Sequence, residues 1–309
     1  SKAGKSYGLI ELTCALAEGK EWFGWKCAQG RVLYVNLELD RASCLHRFKD
    51  VYQALGVPPE NLQNIDVWNL RGRSVPMDKL VPKLIRRAAK QNYIAIILDP
   101  IYKVITGDEN SADQMAHFCN QFDRICTELN CSVIYCHHHS KGVQVGKRSM
   151  DRASGSGVFA RDPDALLDMI ELELDDDLRA SAQVAMELTP EEAERLTAWR
   201  IDGTLREFPK FKPIDMFFNY PVHVMDSRKI LTEAKAEGTP KPKKSRKERE
   251  LEKKMEIIKT YEMQRSFSDM VTLKGMADQL QMSDRTLRRH IANIDQLEIK
   301  DGYVVRVTE

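Results

Sequence analysis

The chain opens on Ser1-Lys2-Ala3-Gly4-Lys5-Ser6, and a glycine, a lysine and a hydroxyl residue at the head of a helix leave few folds open. This is the closing half of the phosphate-binding pattern G-x-x-x-x-G-K-[ST], in which a strand runs into a turn of exposed amides and then into a helix. The opening glycine and its strand are expected upstream of residue 1. Residues 7–16 have helical apolar spacing, and the N-terminus of that helix would offer amides and a positive dipole end to phosphate. Gly4-Lys5-Ser6 alone also reads as a surface turn, so residues further along have to decide.

They supply alternating elements. Residues 31–37 form a buried-type strand ending at Glu38, followed by a helical stretch over 41–55 and a short strand at 64–70. A helix over 77–91 precedes the apolar run 93–98, which closes in Asp99-Pro100. A helix over 111–129 then leads into a strand over 131–136 that ends in His137-His138-His139. Strand and helix in alternation predict an α/β fold with a doubly wound, mostly parallel sheet and its ligands at the carboxyl ends of the strands. Those ends carry the chemistry. Nucleotide binding is expected along Ser1, Lys2, Ala3, Gly4, Lys5, Ser6 and Tyr7, with amides around Ala3 and Gly4 cradling a β-phosphate. Lys5 would neutralise β- and γ-oxygens, while Ser6 and Asp99 would hold Mg²⁺. Glu38 is placed to orient or deprotonate an attacking water, or it is a helix-capping carboxylate.

Composition narrows the setting. Lysine plus arginine number 47 against 46 aspartate plus glutamate, so affinity for nucleic acid has to come from local segregation of charge. The seven cysteines are odd in number and contain no Cys-x-x-Cys pair, which points to a reducing cytoplasm and away from a zinc site. No apolar run approaches the roughly 20 residues of a spanning helix, so no membrane partner is expected.

The segments 1–6, 32–38 with Arg47 following, 94–100, 133–141 and 155–167 together resemble the AAA_25 group of RecA-like ATPases, which includes the RepA-type hexameric replicative helicases of plasmids. The resemblance covers roughly residues 1–225. It implies a RecA-like P-loop NTPase using ATP and Mg²⁺, with Lys5 and Ser6 as the Walker A pair, Asp99 as the Walker B carboxylate and Glu38 as the catalytic glutamate. It also implies His138 as a sensor of the γ-phosphate, with Lys141 at the matching offset. Where the family carries an arginine finger this sequence has Asp164, so Arg152 and Arg161 become the trans-acting candidates.

Residues 142–157 have the composition of a mobile loop. Lys147, Arg148 and Arg152 are candidates there for gripping single-stranded DNA, if the loop has a ligand at all. Past Asp175-Asp176-Asp177, the segments 198–208 and 213–224 are expected as antiparallel strands finishing the ATPase sheet. The ATPase domain is set at residues 1–226, a charged linker at 227–252 and a small C-terminal domain at 253–309. Three short helices over 255–263, 272–280 and 283–291, with a hairpin turn at 300–303, resemble a winged helix-turn-helix. The exposed Asp284, Arg285, Thr286, Arg288 and Arg289 would then enter a major groove, or the module docks on a replication protein or another subunit. The sequence thus reads as a cytoplasmic, Mg-dependent ATPase acting on DNA, a ring-forming and favoured hexameric replicative helicase of a plasmid or mobile element. The alternative is a DNA-binding ATPase switch, a loader or regulator without unwinding activity.

Overall fold

The computed structural model describes residues 4–73, 75–137, 157–239, 246–268 and 270–307. Two compact units follow one another, Ser1–Thr239 and Pro240–Glu309.

In the first unit, helix α1 (Lys5–Glu18) starts directly from Gly4, which sits in the left-handed region at φ 65°, and stops at Gly19, also left-handed at φ 64°. A two-rung hairpin of β1 (Glu21–Trp22) and β2 (Trp25–Lys26) leads to β3 (Arg31–Asn36). Helix α2 (Arg41–Leu55), β4 (Ile65–Asn69), α3 (Met77–Ala88), β5 (Tyr93–Asp99), α4 (Ala112–Leu129) and β6 (Ser132–Tyr135) complete the alternation. The four longer strands form a parallel sheet in the order β4-β3-β5-β6.

The apolar strands are continuous because both faces are covered. Leu33, Val35, Ile96 and Leu98 point into a core with Leu80, Leu84, Phe118 and Phe122 of α3 and α4. Their neighbours Val32, Tyr34, Ala95 and Ile97 point the other way, against Ile10, Cys14, Phe48 and Val51 of α1 and α2. Period-two alternation therefore feeds two cores from one sheet, and register places the strand ends together, Asn36 beside Asp99 and Asn69.

After the short helix α5 (Val158–Arg161), the chain forms β7 (Ala165–Leu172), α6 (Asp176–Met186), α7 (Pro190–Arg195), β8 (Thr197–Leu205), β9 (Ile214–Asn219) and β10 (Val222–Met225). These strands do not extend the parallel ladder among the described residues. They make a second, antiparallel sheet in the order β10-β9-β8-β7. The single strand expected over 213–224 is two, because the chain reverses at Tyr220 and Pro221. The acidic stretch after β7 is a helix start: Asp175 accepts the Leu178 amide, and Asp176 and Asp177 lie in the first turn, where negative charge suits the helix dipole. Thr189 and Glu192 close a capping box at the head of α7.

The boundary expected at residue 226 moves to Thr239. Residues 227–239 have buried anchors: Leu231 and Ala234 enter a core with Leu172, Leu196 and Phe217, and the chain then pairs along β7 through Leu172 and Ala236. The linker expected up to 252 is shortened from its far side too, since α8 runs over Arg246–Phe267.

The second unit comprises α8, β11 (Val271–Thr272), α9 (Leu273–Gln279), α10 (Asp284–Ile291), β12 (Leu297–Lys300) and β13 (Tyr303–Arg306). Its strands pair antiparallel in the order β11-β13-β12. Ile257, Tyr261, Met276, Leu287, Ile291 and Val304 form its core. Among the described residues no helix is long and apolar enough to cross a membrane.

Candidate functional site

Parallel strands deliver their last residues to one edge of the sheet, and α1 begins at that edge. Asp99, the final residue of β5, is 5% exposed. Its Oδ2 accepts the Tyr34 hydroxyl at 2.5 Å and its Oδ1 accepts the Cys136 thiol at 2.9 Å. Both oxygens are thereby fixed in direction. Burial pushes the Tyr34 hydroxyl and the Cys136 thiol up from their ordinary pKa values, and the Asp99 charge adds to both, so they remain proton donors to the carboxylate.

Lys5, the first residue of α1, faces the same edge. Burial lowers its pKa from the ordinary lysine value, and Cys136, Asp99 and Glu171 pull it back up. Glu171 belongs to β7, so the ammonium lies within electrostatic reach of the second sheet as well as of Asp99. Glu171 is itself pushed up to about 7, first by burial and then by its hydrogen bond to Glu237 and the repulsion between the two carboxyls, with Lys5 opposing. Glu237 reaches this position because its amide donates to the Glu171 carbonyl at 2.8 Å in the segment folded along β7.

Glu38 lies just past β3 and is exposed. The turn that carries it is built by Asn36, which is 2% exposed. The Asn36 side-chain amide donates to the Leu39 carbonyl at 2.7 Å and to Asn69 Oδ1 at 2.9 Å, while its oxygen accepts the Glu38 and Leu39 amides at 3.3 and 2.9 Å. Tyr102 donates to Glu38 Oε1 at 3.4 Å. The carboxylate thus projects from a fixed turn into solvent.

Ser6 and Tyr7 occupy the first turn of α1, where the Tyr7 ring stacks beneath the Arg47 guanidinium at 4.8 Å and meets Phe218 and Tyr220 at 5.5 and 5.3 Å. Burial raises the Tyr7 hydroxyl, with Tyr220 adding to the shift and Arg47 opposing it.

The structure therefore brings Lys5 and Asp99 to one edge, with Ser6 next to Lys5 in the first turn of α1 and Glu38 extending from the neighbouring strand. Ser1, Lys2, Ala3, His138, Lys141, Lys147, Arg148 and Arg152 lie outside the described residues. His137, which precedes the expected sensor, packs its ring 4.7 Å from Phe159 and points Nε2 at Glu109 from 3.9 Å. Arg161 is exposed and folds back to donate to the Gly157 carbonyl at 3.3 Å. Asp164 binds Arg206 at 2.8 Å, and the same guanidinium donates to the Arg161 and Asp162 carbonyls at 3.0 and 2.6 Å.

Sequence reasoning missed Tyr34, Asn36, Cys136 and Glu171. A tyrosine and a cysteine interrupting Val/Leu/Ile runs near strand ends were the available signal for Tyr34 and Cys136. Glu171 left none, because its relation to Lys5 exists only after the second sheet folds.

The donor set suits a hard cation. A hydroxyl and a carboxylate with both oxygens held by neutral donors match the oxygen preference of Mg²⁺, which keeps several waters and takes few protein ligands. In the second unit, Arg285, Arg288 and Arg289 are exposed on α10, Thr286 is partly buried, and Leu287 and Ile291 anchor the opposite face.

Comparison with known proteins gives a match to a family model described as an AAA domain over residues 1–144, the stretch that carries α1 to β6. No curated protein matches the chain. The match and the strand-end geometry support an AAA-type, P-loop ATPase-like domain in this stretch, with the nucleotide binding that such a domain implies.

Proposed function

We propose that the chain is a Mg-dependent ATPase acting on DNA, a ring-forming replicative helicase of the RepA type, whose second unit is a winged-helix module that targets it. The observation that carries the ATPase reading is the placing of Lys5, at the head of α1, within electrostatic reach of the buried Asp99 at the end of β5, beside the exposed Glu38.

In this reading the Gly4 turn and the first amides of α1 bind the phosphates, and Lys5 neutralises the β- and γ-oxygens. Ser6 and Asp99 would hold Mg²⁺, which when bound offsets the charge of the transferred phosphoryl group. Tyr34 and Cys136 keep the Asp99 oxygens aimed, Asn36 holds the Glu38 turn, and Glu38 orients the attacking water and takes its proton. A trans-acting arginine would come from Arg152 or from Arg161. On α10, Arg285, Thr286, Arg288 and Arg289 would face a duplex major groove. Hexamer formation and single-stranded DNA in the channel follow from the family resemblance and are part of the proposal.

The test is steady-state ATP hydrolysis by the full-length protein with and without single-stranded DNA, beside Lys5→Ala and Glu38→Ala. Stimulation by DNA, with a loss of about a thousandfold in either variant, is the expected result. Hydrolysis that depends on Lys5 but ignores single-stranded DNA favours the loader or regulator, a reading supported by the arginines exposed on α10. Hydrolysis unaffected by Lys5→Ala removes the ATPase reading altogether.

A further inference from the structure

Against the Gly4 turn, where β10 packs on α1, lies a buried pair that the proposed chemistry does not use. His223 of β10 has a side chain 0% exposed, and Glu11 of α1 is 4% exposed. His223 Nδ1 lies 2.7 Å from Glu11 Oε1, and the His223 main-chain amide donates to that same oxygen at 3.2 Å. With Glu11 ionised, the oxygen that accepts the main-chain amide also accepts Nδ1–H, and the other ring nitrogen is left to face the protein.

That nitrogen has a direction and, among the described residues, no hydrogen-bond partner. A carbon placed where Gly4 would carry a side chain falls 2.8 Å from His223 Nε2, and one placed on Gly8 falls 3.6 Å from Cε1. The ring is walled by Phe23 and Phe218, with centroids 5.4 and 4.8 Å away. A buried imidazole nitrogen is costly to leave unsatisfied, and one aimed at a left-handed glycine that starts a helix has main chain within reach.

Resting on the ATPase reading above, we infer that His223 is a positioning residue of the phosphate-binding loop: Glu11 fixes its ring, and its unpartnered Nε2, set against Gly4, takes a main-chain N–H of that turn when the loop holds phosphate. The pair ties β10 to the first two turns of α1, across 212 residues of sequence. The left-handed Gly4 alone would leave the turn free to tilt, and loop amides serve a phosphate only when they converge. Glycine is required at position 4 on two counts, its positive φ and the ring nitrogen that fills the space of a side chain.

Two amide side chains separate this role from a merely structural one. In His223→Asn the side-chain amide stands near the Nδ1 position and can still meet Glu11, whereas in His223→Gln it reaches the Nε2 position and can meet the Gly4 turn. ATP affinity, KM and kcat would be measured for both in full-length protein, with Lys5→Ala as a control and thermal unfolding without nucleotide recorded for each. Asn is expected to weaken ATP binding and raise KM about tenfold, with kcat at saturation within about threefold of the parent. Gln is expected to bind ATP within about threefold of the parent. Asn binding like the parent, or both variants losing affinity only in step with unfolding temperature, overturns the inference. A Lys5→Ala protein that binds ATP normally overturns the ATPase reading instead. Should neither variant fold, ¹⁵N spectra of the parent's histidine rings decide: the Nε2 signal of the carboxylate-bound ring should move when ADP is added, and a stationary signal rejects the role.

Discussion

The carboxyl ends of the parallel strands and the exposed face of α10 both gather charged residues, and they treat them in opposite ways. At the strand ends, Asp99 is buried and both its oxygens are engaged, while the Asn36 amide is divided between the Glu38 turn and Asn69. On α10, Arg285, Arg288 and Arg289 stand in solvent, and only Leu287 and Ile291 tie that helix to its core. The first arrangement fixes atoms before any ligand arrives, as reaction chemistry requires. The second leaves long side chains free to settle on a partner whose charge is spread along a backbone.

The sharpest way to break this contrast is to loosen one fixed atom. Tyr34→Phe keeps the ring and its 5.2 Å edge contact with Phe48 but removes the hydroxyl on Asp99. A drop of about 10- to 100-fold in kcat, with a higher Mg²⁺ concentration at half-maximal rate, is expected in steady-state assays. Unchanged Mg²⁺ dependence would mean that the carboxylate needs no aiming.

A smaller effect is expected on the mobile side. Arg288→Ala should weaken duplex binding by about 1 kcal/mol and lower the slope of log affinity against log salt by about one, read by fluorescence anisotropy across a salt series. A salt slope identical to the parent's would place that arginine off the DNA.

The smallest effect is pH-dependent stability at the junction of the two sheets. Glu171 has a folded pKa raised to about 7, so its contribution is whole below the ordinary carboxylate range and is lost as pH climbs through 7. Glu171→Gln should therefore leave the thermal midpoint unchanged near pH 4 and raise it at pH 8. Partial exposure screens the pair, which limits the gain to about 1 kcal/mol, or about 2 to 4 °C for a unit of this size. An equal shift at both pH values would trace the effect to packing.

Much of the first unit was legible because its signals are local. The run from Ile94 to Asp99 is a covered central strand ending in a carboxylate on any reading, and Gly4-Lys5-Ser6 announces a helix head. Legibility fails where partners are distant. Tyr34 looks like one more core residue until the register sets β3 beside β5, and residues 227–239 look like linker until Leu231 meets Phe217. The second sheet was misjudged for the same reason, since alternating apolar residues show that a strand exists but not which ladder it joins.

The Glu11–His223 contact also fixes when the loop can be finished. A parallel sheet of successive strand and helix units can assemble in the order the ribosome delivers it, and the cores around β3 and β5 draw little from beyond residue 136, namely Val158, Phe159 and Val222. The nitrogen that faces Gly4 emerges only with β10. A nascent chain halted before that hairpin would carry Lys5, Glu38 and Asp99 in a nearly complete scaffold and yet, on the inference above, lack the brace behind its first turn.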